Sequence, residues 1–166
     1  MAEDGALKAP GENGEIVIRG PNVFAAYENN PQANASAFTE GWFRTGDLGK
    51  LDAEGYLTIS GRLKEIINRG GEKIAPREVD DVLQAHPAID QVVTFAMPHD
   101  KLGEAVAAVV VFKEGASAEV SDIRAFASER LAAFKVPATI IIMDEIPKGA
   151  TGKLQRIGLA EKLGLV

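Results

Sequence analysis

The chain has 166 residues, of which 46% are hydrophobic, enough for a packed core, and its net charge of -6 argues against nucleic acid or an acidic membrane as main partner. The absence of cysteine excludes disulfides and a cysteine nucleophile, and two histidines give no basis for a multi-histidine metal site. No apolar run approaches the roughly 20 residues of a membrane span, so we predict a cytoplasmic chain without one.

The first part of the chain predicts short strands and turns. A strand is expected at Glu15–Arg19, because Gly20 and Pro21 stop the run that precedes them. A helical turn is expected after Pro31, and a second strand at Tyr56–Ser60. These elements are too few to close a core by themselves, since small isolated sheets are marginally stable.

The pattern changes near Gly61–Arg62, where we place a domain boundary. Paired glycines at Gly70 and Gly71 predict the turn of a β-hairpin. Apolar periodicity and run length then predict the remaining elements: helices at 76–86 and 120–134, strands at 89–97, 105–113 and 139–145, and a short final helix at 155–163. The sequence therefore predicts an α+β module over residues 62–166 with its own core.

The stretch "GWFRTGDLG", residues 41–49, places Asp47 between Gly46 and Gly49, which predicts a tight loop. A carboxylate presented on such a loop is suited to accept two hydrogen bonds from a vicinal diol such as a ribose. An aspartate that only caps a turn is the alternative, and the chemistry of this segment alone favours the turn cap.

The stretch "GRLKEIINRGGEKIAPREVD", residues 61–80, alternates basic and acidic residues around the two glycines. Gly70 and Gly71 would let a thin ligand lie against bare backbone. A solvated, charged hairpin is the alternative, and a lone pair of glycines does not exclude it.

The stretch "IPKGATGKLQR", residues 146–156, has the composition of a phosphate-binding loop. It lacks the P-loop pattern, because Pro147 stands where the first glycine is needed and Leu154 where the magnesium-binding hydroxyl is needed. Lys153 is then either an ordinary exposed lysine or a mobile cation that reaches a phosphate or carboxylate from its glycine-containing loop.

Together, the motifs "GWFRTGD", "GRLKEIINRGGEKIAPREVD" and "PKGATGKLQR", in this order and near this spacing, resemble the adenylate-forming acyl-CoA ligase superfamily. The resemblance covers the chain from Gly14 onward. The segments "INRGGEKI" and "LAAFKVP" are most similar to the oxalate–CoA ligase branch, and medium-chain or 4-coumarate-type ligases are the next candidates.

The resemblance implies a reaction in which a carboxylate and ATP form an acyl-adenylate, from which CoA then displaces AMP. It assigns Lys153 to catalysis of adenylation, Asp47 and Arg62 to the ribose of ATP or AMP, and Lys64 to a hinge. Gly70 and Gly71 would line the passage for the pantetheine arm of CoA. Losing a preorganised cation of this kind typically costs a factor of about 10² to 10³ in rate.

The resemblance also implies that residues 1–61 are the β-rich end of a large N-terminal AMP-binding domain, and that 62–166 form the small mobile lid. The phosphate loop, the acyl pocket and most contacts to ATP, CoA and Mg²⁺ would belong to the N-terminal domain, and we expect no metal ligand here. The chain alone is then expected to be inactive. Two alternatives stay open: an adenylation unit that loads a carrier-protein thiol, and a standalone non-catalytic module that binds a nucleotide, CoA or a partner protein.

Overall fold

A computed structural model describes residues 1–149 and 152–165 of the chain. The chain forms two compact units, Met1–Lys64 and Glu65–Val166. This division lies three residues after the expected boundary at Gly61–Arg62. Across the described residues, no helix has both the length and the apolar character needed to cross a membrane.

The first unit is built around a four-stranded antiparallel sheet. Its long central strand pairs with one strand on one side and with two on the other. A single short helix precedes the second strand. The elements are β1 (Gly14–Ile18), α1 (Pro31–Ala37), β2 (Phe38–Thr39), the central β3 (Trp42–Leu51) and β4 (Leu57–Arg62).

The second unit is built around a five-stranded sheet in which β8 is central, antiparallel except for the parallel pair β8–β9. One edge of β8 pairs with β7, and the other with β5 and β9. A 3₁₀ turn, Leu63–Glu65, connects the first unit to the second. The elements of the second unit are β5 (Ile67–Arg69), β6 (Glu72–Ile74), α2 (Pro76–Gln84), β7 (Ile89–His99), β8 (Gly103–Phe112), α3 (Val120–Ser128), a second 3₁₀ turn (Ala133–Lys135), β9 (Thr139–Ile142) and α4 (Leu159–Lys162).

This sheet is covered on both faces because side chains alternate along its long strands. Val106, Ala108 and Val110 of β8 pack in one cluster, which α2 and α3 complete with Val79, Leu83, Ile123 and Ala127. The intervening Ala107, Val109 and Val111 pack in a second cluster, which includes Leu159 and Ala160 of α4. The second unit therefore has a core of its own, as the α+β prediction requires.

The α+β class is confirmed, and one local expectation is wrong. Asp47 does not lie in a tight loop but inside β3, which runs from Trp42 to Leu51. Cross-strand pairing with both β1 and β4 carries the strand through this position. Gly46 provides the positive φ of +74° that the irregular pairing needs, so the glycines accommodate a distortion in a strand.

Candidate functional site

Asp47 and Arg62 lie opposite each other on β3 and β4, and their side chains form an ion pair. The Arg62 Nε lies 2.9 Å from Oδ1 of Asp47. Both side chains are accessible, with 66% of Arg62 and 28% of Asp47 exposed. The structure thus brings together the two residues that the sequence assigned to a ribose, with their polar ends open to solvent.

A buried carboxylate fixes the backbone just before Asp47. Glu15 on β1 is buried, accepts a hydrogen bond from the Gly46 N–H at 3.1 Å, and is paired with Arg44, whose Nε donates at 2.8 Å. The Thr45 hydroxyl donates to the Ile16 carbonyl at 2.7 Å and accepts from the Asp47 N–H at 3.1 Å. Strands β1 and β3 therefore hold the main chain of Asp47, and its carboxylate stays accessible beside Arg62.

Gly70 and Gly71 form the two-residue turn between β5 and β6, with φ angles of +60° and +97°. Such a pair of positive angles is the requirement of the tight hairpin turn that the sequence predicted. A β-carbon on Gly70 would lie 3.0 Å from Leu102, whereas a β-carbon on Gly71 would have nothing within 4 Å. The outer face of the turn at Gly71 is therefore open, and a ligand could lie against it.

Lys64 lies in the 3₁₀ turn Leu63–Glu65, between β4 and β5. It is the last residue of the first unit, and Glu65 is the first residue of the second. Its side chain is exposed. The residue assigned to a hinge is thus located where the chain passes from one unit to the other.

Lys153 lies in a small loop closed by its own backbone. The Gly149 N–H donates to the Lys153 carbonyl at 2.9 Å, and Lys148 pairs with Leu154 in an antiparallel bridge. Ala150 and Thr151, which belong to the same motif, lie outside the described residues. The Lys153 side chain is exposed, and it has no hydrogen-bond or ion-pair partner among 1–149 and 152–165. It is a cation presented to solvent from a closed loop.

Three residues after Lys153, the Arg156 side chain is largely buried in a polar cluster that the sequence did not reveal. Its guanidinium lies 2.6 Å from Asp80 and 3.1 Å from Glu65, and it donates to the Thr94 carbonyl at 2.9 Å. Only 22% of the Arg156 side chain is exposed. The cluster joins the chain after the loop to α2, to β7 and to the first residue of the second unit.

Burial raises the pKa of the Asp80 carboxyl above its ordinary value, and the Arg156 guanidinium beside it opposes that shift. The Thr94 N–H also donates to Asp80 at 2.7 Å, which favours the ionised carboxylate. One sequence signal could have identified the cluster: Asp80 falls in the buried stripe of α2, formed by Pro76, Val79, Asp80 and Leu83. A charged residue in such a stripe requires a partner.

In the part of the chain that the structure describes, no group of three or more acidic or histidine side chains is arranged to hold a metal ion. The candidate functional residues are thus the exposed pair Asp47–Arg62 in the first unit and, in the second unit, the open turn at Gly71 and the exposed cation Lys153. Each of these is a means of binding an anionic or hydroxylated ligand, and none is a nucleophile.

The comparisons with known proteins identify one domain model and a set of similar CoA ligases. Residues 78–153 match the model of the AMP-binding enzyme C-terminal domain. Oxalate–CoA ligase of Arabidopsis thaliana is 51% identical over 94% of this chain and 30% of that protein. The chain therefore spans about a third of the length of the curated relatives it matches.

Several solved structures share the fold. ATP-bound MatB from Rhodopseudomonas palustris superposes with a TM-score of 0.90 at 36% identity, over 96% of this chain and 32% of that one. The o-succinylbenzoate CoA synthetase MenE from Bacillus subtilis, in complex with its acyl-adenylate intermediate, has a TM-score of 0.83 at 38% identity, over 93% of this chain and 32% of that one. The chain therefore contains the AMP-binding enzyme C-terminal domain at residues 78–153 and is similar, over nearly its whole length, to the C-terminal part of CoA ligases.

Proposed function

We propose that this chain is the C-terminal part of an AMP-forming carboxylate–CoA ligase, an acid–thiol ligase that is inactive without its N-terminal domain. In the first half-reaction a carboxylate oxygen attacks the α-phosphorus of ATP, and the bond to the β-phosphate breaks to release pyrophosphate. In the second, the CoA sulfur attacks the acyl carbon, the bond to AMP breaks and the thiol proton is lost.

The observation that carries the proposal is the Lys153 loop, which presents an exposed cation at the end of the segment that matches the family model. Adenylation brings a carboxylate towards a polyphosphate, so two anions must meet. A cation that reaches both the α-phosphate and the carboxylate lowers that cost in the transition state. Lys153 is assigned this catalytic role.

The first unit would contribute to nucleotide binding. The Asp47 carboxylate accepts hydrogen bonds from the ribose hydroxyls, and Arg62 next to it orients that carboxylate and approaches the same ribose. Glu15 and Thr45 hold the main chain of Asp47 in place before the nucleotide binds. Binding therefore costs little conformational entropy at this residue. ATP and AMP are the nucleotides of the two half-reactions, and Mg²⁺ would be bound mainly by the N-terminal domain.

The second unit would act as a lid that turns about Lys64. In one position Lys153 serves adenylation, and in the other the hairpin of Gly70 and Gly71 faces the pantetheine arm of CoA. The open surface at Gly71 supports this second role, because a side chain there would occupy the passage. We accordingly assign residues 1–61 to the large AMP-binding domain and 62–166 to the lid, with the hinge next to their boundary.

The rest of the N-terminal AMP-binding domain of the same enzyme is the proposed partner of the first unit. Several large apolar side chains there are exposed, Tyr56 by 70% of its surface. Apolar exposure on this scale marks a surface that packs against another element. The exposed residues are Leu7, Ile18, Phe24, Tyr27, Leu51, Tyr56, Leu57, Ile59 and Leu63.

The test is Lys153→Ala in the full-length enzyme that contains this chain. Carboxylate-dependent pyrophosphate release should fall by a factor of about 10² to 10³, because one preorganised cation is lost. Thioester formation from supplied acyl-adenylate should be retained, since AMP has already been formed. A normal rate of pyrophosphate release would overturn the assignment. Free CoA and a carrier protein compared as acceptors would identify the thiol, and failure of both would favour a non-catalytic module.

A further inference from the structure

We propose that Arg156 is a positioning residue for Lys153. The Arg156 side chain fixes the catalytic loop to the body of the lid. This inference rests on the proposed function, because it assumes that Lys153 acts in adenylation. Arg156 itself lies in the buried cluster and points its charge at Asp80 and Glu65. It would therefore act on the reaction only through the place it gives to Lys153.

The loop is held on both sides of Lys153. On the N-terminal side, Lys148 bridges to Leu154, and the Gly149 N–H donates to the Lys153 carbonyl at 2.9 Å. On the other side, Arg156 makes contacts at 2.6 to 3.1 Å with two carboxylates and one carbonyl. The backbone of Lys153 is thereby restrained although its side chain is exposed.

The anchor has three different supports in the second unit. Asp80 is on α2, Thr94 is on β7, and Glu65 follows the proposed hinge residue Lys64. The planar guanidinium serves the three acceptors from three different nitrogens, a spread that the single ammonium nitrogen of a lysine does not have. Arg156 thus ties the loop both to the core of the lid and to the segment where the lid begins, so that the loop would turn with the lid as one body.

This restraint matters because Lys153 has a long, flexible stem. A misplacement of about 1 Å by a change remote from the chemistry can cost a factor of about 10² in rate. A free loop would spread the ammonium group over many positions, and the adenylation step would lose the preorganised charge. The transfer step does not use Lys153, so it should not depend on the anchor.

The experiment compares variants of the full-length enzyme in the two half-reactions measured separately, as pyrophosphate release and as thioester formation from supplied acyl-adenylate. Arg156→Met removes the anchor. The double variant Asp80→Asn with Arg156→Gln removes it without leaving Asp80, the more buried of the two carboxylates, charged and unpaired. Arg130→Met is the matched control, because Arg130 makes an exposed ion pair with Glu129.

We expect Arg156→Met and the neutral double variant to lower adenylation by a factor of about 10 to 10². Transfer should stay at the wild-type rate in both, and Arg130→Met should change neither step. Combined with Lys153→Ala, Arg156→Met should cause no further loss of adenylation, since a residue that acts through Lys153 has nothing left to position.

Equal loss of both half-reactions in the neutral double variant, normal adenylation in Arg156→Met, or a loss that adds to that of Lys153→Ala would each overturn the inference. The outcomes separate it from the function on which it rests. Normal adenylation in Lys153→Ala removes the catalytic role proposed for Lys153, whereas impaired adenylation in Lys153→Ala with normal adenylation in Arg156→Met removes only the anchor.

Discussion

The two units fix their exposed candidate residues in the same way but present them differently. In the first unit, buried Glu15 holds the Gly46 N–H, directly before Asp47. In the second, Arg156 holds the chain three residues after Lys153. Asp47 has a partner in place, Arg62 at 2.9 Å, whereas the Lys153 side chain has none within the described residues.

This difference corresponds to two kinds of site. A carboxylate that is already paired and fixed in a sheet is suited to a ligand that stays bound through both half-reactions. An unpaired cation on a short anchored loop is suited to a contact made in one step and withdrawn before the next. The buried charges beneath each site maintain geometry, and the exposed charges are available for binding.

The largest effect on stability is expected at Arg156. Arg156→Met leaves Asp80 buried without its counter-ion, so the free energy of unfolding should fall by about 3 kcal/mol. Urea unfolding at neutral pH measures this loss, with Arg130→Met as the exposed control. A loss no larger than that of the control would show that the cluster is not structural.

The stability of Arg156→Met should depend on pH in a defined direction. Burial raises the pKa of Asp80 in the folded state, so its contribution to stability is greatest below the ordinary carboxyl pKa and is lost as pH rises through the raised value. Without Arg156 this pKa should rise further. The deficit of Arg156→Met relative to wild type should therefore shrink as the pH is lowered, and a deficit that grew would contradict this.

An intermediate effect is expected at Glu15. Glu15→Gln keeps the shape of the side chain but removes the charge that Arg44 pairs with. The NH₂ group of the glutamine must then face a donor, either Arg44 or the Gly46 N–H. We expect a loss of about 1 to 3 kcal/mol in the free energy of unfolding. Glu54→Gln, at an exposed turn of the same unit, is the matched control and should be nearly neutral.

Local patterns predicted most of the second unit. Apolar runs predicted β7 and β8, the paired glycines predicted the hairpin, and helical spacing predicted α2. The ends of the elements were predicted less accurately: the second helix was expected to reach residue 134 but ends at Ser128. Local patterns failed at Asp47, where flanking glycines suggested a loop but pairing with two neighbouring strands keeps the segment extended.

The polar cluster of Arg156 could not be predicted because its partners are remote in sequence, with Glu65 91 positions away. An arginine near the end of the chain has many acidic residues to choose from. Only Asp80 could have been recognised, by its place in the apolar stripe of α2. A charge in that stripe indicates that a partner exists but not which residue it is, and the fold is what brings Arg156 next to Asp80.

The smallest effect on stability, and the sharpest contrast with Arg156, is expected at Arg62. Its ion pair with Asp47 is exposed, so Arg62→Met should change the free energy of unfolding by less than about 1 kcal/mol. Its effect on function should be larger, because a hydrogen bond to a charged group is worth about 1.5 to 3 kcal/mol and the KM for ATP of the full-length enzyme should rise about tenfold or more. If stability fell by as much as in Arg156→Met while the KM stayed normal, the pair would be a structural contact, and the distinction between the two units would fail. A rise in KM at unchanged stability would instead assign Arg62 to the ligand, since an exposed pair that adds little to folding has its interactions available for the nucleotide.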